Sequence, residues 1–285
     1  MKEFPPCPSV DEAPAALFDG GHVWLHELVD GAPVRFQVQE DGRLRFGDAV
    51  RVFDDVPSGY EHVARHVRER FDRDALREAT DDVESVVFFG FAMHYCGTDY
   101  DWVRTPPFLG SDVWSGSGYL LPDRVEKIYD RLGLDALDTV AAEVRAVDFD
   151  PDGYAFPASA WYDGPVAGVL VRDKTDHRAR LDNPEVGENT DSATTSAREA
   201  VDERDDVDDP ETFARRHVTP DRFDAVADSL RREGRPVTFD ALYERTVELL
   251  ARAHHDRLFG RGNPDVRAVR SEVAALTRAY LDDRE

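Results

Sequence analysis

Hydrophobic positions divide the 285-residue chain into two parts with different periods. Up to about residue 182, short apolar runs of strand length dominate. Val23 to Val29 reads as a strand, and Val34-Arg35-Phe36-Gln37-Val38 alternates apolar and polar side chains at the period of two that a sheet requires. Glu40-Asp41-Gly42 supplies turn chemistry before Leu44-Arg45-Phe46 returns, which predicts a hairpin. Val86 to Met93 is apolar throughout, as expected of a central strand covered on both faces. Val166 to Arg172 and Arg178 to Leu181 read as a later strand pair. Tyr60, Val63, Val67 and Phe71 recur at helical spacing, as do Val125, Ile128, Tyr129 and Leu132 before a Gly133 stop.

Beyond residue 211 the period becomes helical. Phe223, Val226, Ala227 and Leu230 form one stripe, Phe239, Leu242, Tyr243, Leu249 and Leu250 a second, and Val266, Val269, Val273, Leu276 and Tyr280 a third. Thr219-Pro220 and Asn263-Pro264 each place a capping residue before a proline at the first helical position. The intervening stretch is polar and acidic, running through Asp202-Glu203-Arg204-Asp205-Asp206. The expected organisation is an α+β domain of antiparallel sheets with flanking helices over 1–182, an acidic linker over 183–211, and a small helical domain over 212–285. No internal repeat is visible.

Composition changes the picture in one respect. Net charge is −24, aspartates outnumber glutamates two to one, and Lys2, Lys127 and Lys174 are the only lysines among 35 basic residues. Such an Asp-rich, Lys-poor chain of ordinary hydrophobicity is expected in the cytoplasm of an organism with molar internal salt. An acidic balance ordinarily argues against nucleic-acid binding. At molar salt, however, the Debye length falls to about 3 Å, so local arginines and not net charge govern contact with a polyanion. Cys7 and Cys96 are too few for a disulfide framework and lack metal spacing. No apolar run reaches the 18 or so residues a spanning helix needs, and no membrane partner is expected.

The order of several segments resembles the ATP-dependent RNA ligase family of covalent nucleotidyltransferases. The segments are Trp24 to Val38 with its Asp30-Gly31, a strand at Val50-Arg51-Val52, the run ending Phe89-Gly90, and Phe108-Leu109-Gly110-Ser111-Asp112-Val113-Trp114. They continue with the Val125 to Leu134 helix, Gly168-Val169-Leu170-Val171-Arg172, Arg178-Ala179-Arg180-Leu181, and Val218 to Phe223 opening the helical tail. The resemblance covers most of the chain. It implies a nucleotidyltransferase fold, ATP and Mg as cofactors, and RNA ends as substrate.

The same resemblance exposes departures. The family's nucleophilic lysine stands two residues before the Asp-Gly, where this chain has Leu28; a nucleotide-contacting glutamate becomes Phe91, and a metal-holding glutamate becomes Ala167. A phosphate-neutralising lysine becomes Arg180, which keeps the charge but changes its geometry. Removing one cation and two carboxylates together strands no buried charge, whereas single losses would.

Strand alternation places His26, Leu28 and Asp30 on one face. His26 and Lys174 are therefore candidate relocated nucleophiles, since histidine and lysine both attack phosphorus when oriented. Asp30, Gly31, Arg35, Arg51, Gly168, Arg172 and Arg180 are the candidate nucleotide-binding residues, because guanidinium forks match phosphate oxygens. No metal ligands are assigned. His254-His255-Asp256 shows adjacent histidines that would diverge by about 100° on a helix. Trp102 to Tyr119, rich in aromatics and glycine, reads as an ordered loop over a sheet. Three functions stay open: a pseudoenzyme that binds nucleotide or RNA ends, a ligase with altered chemistry, and a structural or interaction domain.

Overall fold

The computed structural model describes residues 1–186, 209–260 and 264–284. They form two compact units, one comprising residues up to Met93 and the chain resumed at Pro106, the other comprising His94–Thr105 and the residues from 209 onward. Most of the expected acidic linker lies outside the described residues.

The first unit contains two four-stranded antiparallel sheets. One has strands β1 (His22–Glu27), β6 (Thr139–Arg145), β7 (Gly168–Arg172) and β8 (Arg178–Asp182), in the order β6-β1-β7-β8. The other has β2 (Ala32–Val38), β3 (Leu44–Gly47), β4 (Val87–Ala92) and β5 (Phe108–Trp114), in the order β3-β2-β4-β5. Asp30-Gly31 is thus the crossing from one sheet to the other, since β1 and β2 belong to different sheets.

Each sheet buries its outer face under its own core. Val34, Phe36, Phe88 and Val113 pack against Val63 and Val67 of helix α1 (Glu61–Arg70), Leu76 of α2 (Arg73–Ala79), and Val125 and Tyr129 of α3 (Pro122–Arg131). The Tyr129 hydroxyl donates to the carbonyls of Phe89 (2.7 Å) and Asp112 (2.9 Å), which ties α3 to β4 and to edge strand β5. Its ring lies where a side chain at Gly110 would begin, the nearest ring carbon being 2.2 Å from an ideal Cβ. The other sheet rests its outer face on Leu17, Ala146 and Val166.

Two expectations required correction. Val50–Val52 is not a strand: Val52 makes one isolated bridge with Gly47. Trp102–Tyr119 is not one loop; residues to Thr105 belong to the second unit, 108–114 form β5, and Trp114 bridges Tyr119 around a turn.

The second unit is helical: α4 (Pro210–His217), α5 (Pro220–Arg232), α6 (Phe239–Ala253), α7 (His255–Phe259) and α8 (Val266–Asp282). Thr219 caps α5 as expected, its hydroxyl accepting from the Arg222 amide. Asp265 caps α8 by accepting from Arg267 N, so the helix begins beyond Pro264; Asn263, the expected cap, lies outside the described residues. Arg252 of α6 is fully buried and donates to the carbonyls of Trp102 (3.3 Å) and Thr105 (2.8 Å), which secures the excursion between β4 and β5. No described helix is long and apolar enough to cross a membrane.

Candidate functional site

Residues directly opposite each other in antiparallel strands share a face of the sheet. Across β1, β7 and β8, the rows Leu25–Val171–Ala179 and Glu27–Val169–Leu181 alternate with Trp24–Arg172–Arg178 and His26–Leu170–Arg180. The apolar members of the first pair of rows lie in the outer core. The second pair therefore faces inward, toward the other sheet. There the row Arg35–Phe89–Asp112 faces inward, because Phe36–Phe88–Val113 is committed to the helical side.

The two inward faces meet at Asp112. Its carboxylate receives Arg172 Nη2 at 2.6 Å and Arg178 Nη1 at 2.9 Å, and Arg172 Nη1 also donates to the Ser111 carbonyl at 2.7 Å. All three charged side chains are almost wholly buried. One carboxylate between two guanidiniums leaves a net positive charge in a low-dielectric interior, where such pairs interact strongly. Arg178 also lies over the Tyr119 ring at 4.7 Å, a cation–π contact in which the negative face of the ring attracts the guanidinium.

Leu28 and Gly168 are brought together: the Leu28 amide donates to the Gly168 carbonyl at 3.0 Å. Asp30 is buried at the crossing, and Gly31 packs so closely that an added Cβ would lie 3.0 Å from Met93 Sδ. Arg172 and Arg180 sit in the inward rows, Arg180 turning its Nε to Asp182 at 3.4 Å. Arg35 is buried on the facing sheet, donating to the carbonyls of Lys2 (2.6 Å) and Val50 (3.1 Å). Phe91 occupies the neighbouring inward position on β4 and meets the ring of Phe4. Ala167 is buried, its carbonyl accepting from Asn183 N at 2.8 Å. Arg51 is not gathered in; it is exposed and pairs with Asp48 at 3.0 Å.

Of the two candidate nucleophiles, His26 lies in the inward row beside the Arg–Asp cluster. Burial, aided by the neighbouring Arg172, lowers its pKa to about 3, so the imidazole is neutral at physiological pH. Lys174 lies over the Trp24 ring at 4.6 Å, with Glu143 at 3.9 Å. Glu27 points away from the cleft, where its carboxylate accepts from Ser159 Oγ (2.5 Å) and Ala160 N (2.9 Å) and anchors an outer loop.

Residues 2–9 run through this space. The Lys2 ammonium lies 4.4 Å from the Trp114 ring, and the Phe4 ring packs edgewise on Phe89 at 5.4 Å and Phe91 at 6.1 Å. The Pro8 carbonyl accepts from Arg180 N at 2.8 Å, and Ser9 forms a parallel bridge with Arg180 on edge strand β8.

Sequence reasoning missed Asp112, Arg178, Tyr119 and the opening segment as parts of the site. Asp112 did carry a signal: an aspartate inside an otherwise apolar run implies a buried partner. Its partners are separated from it by 60 and 66 residues of sequence, and no local pattern identifies them. In the helical unit, His254 and His255 do not share one helix. They straddle the break between α6 and α7, His254 packing on His217 at 3.8 Å and His255 stacking on His94 at 3.6 Å. Among the described residues, no group of three or more His, Cys, Asp or Glu is placed to hold a metal ion.

Neither a protein-family model nor a curated protein matches the sequence. The fold, in contrast, resembles solved RNA ligases. A Naegleria gruberi RNA ligase mutant with ATP and Mn superposes at a TM-score of 0.51 with 10% identity, covering 65% of this chain and 57% of that one. An apo mutant of the same ligase gives 0.51 at 9% identity, with coverages of 64% and 56%. The same ligase with PPi gives 0.50 at 10%, with the same coverages. The chain thus has an RNA-ligase-type nucleotidyltransferase fold and spans little more than half the length of these neighbours.

Proposed function

We propose that this protein is an RNA-ligase-like pseudoenzyme that binds a phosphorylated nucleotide, free or at an RNA end, without forming a lysine adenylate. The observation that carries the reading is Leu28, held by its amide to the Gly168 carbonyl beside inward-facing rows that carry Arg35, Arg172, Arg178 and Arg180. At the position where adenylylation would need an amine, leucine offers no nucleophile. The arginines remain chemically suited to phosphate: Arg35, Arg172 and Arg180 stay charged in any environment and present fork geometry. Their local charge outweighs the acidic surface at high ionic strength, where long-range repulsion is screened within about 3 Å at 1 M salt.

ATP is the ligand of the neighbouring ligase with Mn, and guanidinium groups are chemically matched to its phosphates. The residues present fit a metal poorly. Asp112, on the inward face, is already shared between two guanidiniums, and position 167 carries alanine. No step is therefore assigned to Mg or Mn.

The test is titration with ATP and with 5′-phosphorylated RNA at molar KCl, alongside labelled-ATP incubation resolved on denaturing gels. Saturable binding without a covalent adenylate is expected. A protein-linked adenylate, or ATP-dependent joining of a broken RNA, would overturn the reading and restore the active-ligase alternative.

A further inference from the structure

We propose that residues 2–9 are an intramolecular occupant of the inter-sheet cleft, competing with the nucleotide, and that ligand binding requires their withdrawal. The inference rests on the nucleotide-binding reading above and concerns how that site is regulated.

The segment engages the very groups a nucleotide would need. Its Lys2 carbonyl takes a guanidinium N–H of Arg35, and its Phe4 ring covers the aromatic patch of Phe89 and Phe91. Its Pro8 carbonyl and Ser9 take the exposed edge of β8 at Arg180. A phosphate at Arg35 or a base on the Phe89–Phe91 patch would therefore overlap the segment sterically.

The hold is of the kind that releases locally. Ser9 supplies a single bridge and no ladder, because Pro5, Pro6 and Pro8 have no N–H to donate. Of residues 1–9 only Pro5 is buried, while Lys2, Glu3 and Pro6 are exposed. Segments with few buried contacts open far below the free energy of global unfolding. Extended, proline-bearing chain also loses little backbone freedom when it reseats.

Cys7 supplies the reporter. It is in the segment, beside Arg178 and Asp112, and burial raises its thiol pKa to about 11. Withdrawal into water returns it to the ordinary thiol range and accelerates its reaction with a thiol reagent. In a Cys96→Ser background, which leaves Cys7 as the only thiol, the labelling rate is measured with and without ATP. The measurement is repeated in Phe4→Asp and in the milder Phe4→Ala.

Saturating ATP is expected to accelerate Cys7 labelling, and both Phe4 variants to do so without ligand. If the open form is a tenth of the population or less, Phe4→Asp should bind ATP about tenfold or more tightly. Binding of ATP that leaves the Cys7 rate unchanged, or slows it, would overturn the competition and leave the nucleotide reading intact. Unchanged labelling in both folded Phe4 variants would likewise overturn the proposed hold. Faster labelling in the variants, with no binding of ATP or 5′-phosphorylated RNA to any form, would refute the nucleotide reading and the competition with it.

Discussion

Leu28 and Gly168 close on each other at the rim of the cleft. The Leu28 amide donates to the Gly168 carbonyl at 3.0 Å, and the leucine Cδ2 lies 3.1 Å from where a Cβ at position 168 would begin. On the pseudoenzyme reading proposed above, an amine placed at position 28 would still lack carboxylates at positions 91 and 167, where the chain has Phe91 and Ala167. Leu28→Lys is therefore expected to fold, its partly exposed position letting the ammonium reach water, and to form no adenylate. Labelled ATP and a denaturing gel check this, and a labelled protein band would contradict it.

Asp112 compensates two buried guanidiniums at once. Asp112→Ala strands both, and loss of one partner of a buried pair costs about 3–5 kcal/mol. Urea unfolding of the variant should show a loss in that range. A loss under about 1 kcal/mol would mean that water reaches the cluster and screens it, as it does exposed pairs.

Tyr129→Phe removes a buried hydroxyl that serves the carbonyls of Phe89 and Asp112. Two acceptors then stay buried without this donor, and a loss of about 1–3 kcal/mol is expected. Gly110→Ala probes the same joint sterically, because the new methyl would meet the Tyr129 ring. It is expected to destabilise by about 1–3 kcal/mol. Thermal denaturation of both variants gives the comparison, and wild-type stability in Gly110→Ala would place the ring elsewhere.

His26 gives the first unit an acid sensitivity. Its folded pKa of about 3 lies below the ordinary 6.5, so the unfolded chain takes up the proton first. The stability it contributes is complete above pH 6.5 and drains as pH falls toward 3, by about 1.4 kcal/mol for each pH unit below 6.5. In His26→Asn, stability measured between pH 7.5 and 4.5 should fall less steeply than in the wild type. Parallel profiles would show that water solvates the imidazolium in the fold.

Arg180 offers a test of binding separable from folding. Its side chain is about a third exposed and its pairing with Asp182 is loose at 3.4 Å, so Arg180→Ala should leave stability almost unchanged. Affinity for ATP or 5′-phosphorylated RNA should drop about tenfold, within the range of a charged hydrogen bond to phosphate. Calorimetric titration distinguishes this from no effect, which would remove Arg180 from the site.

Local patterning made much of the first unit legible. The alternation of Val34 to Val38, the apolar run at Val86 to Met93, and the 3.6 period of Val125, Tyr129 and Leu132 each correspond to the element they predicted. Strand Thr139–Arg145 was not legible, because none of its residues is fully buried and its pairing with β1 is irregular in register. Val50–Val52 looked like a strand but lacked a partner beyond one bridge to Gly47.

The sequence by itself determined which side chains share a face within β1, since a period of two puts Trp24 and His26 together; the strand ends at Glu27, so the face expected to include Leu28 and Asp30 stops short of them. It also determined, through Leu28, that no amine stands before Asp30. Only the tertiary structure decided that Asp112 would meet Arg172 and Arg178, that residues 94–105 would join the helices, and that residues 2–9 would fill the cleft. These contacts join segments far apart in the chain. Their partners are selected by shape and charge in the folded chain, so no spacing along the chain encodes them.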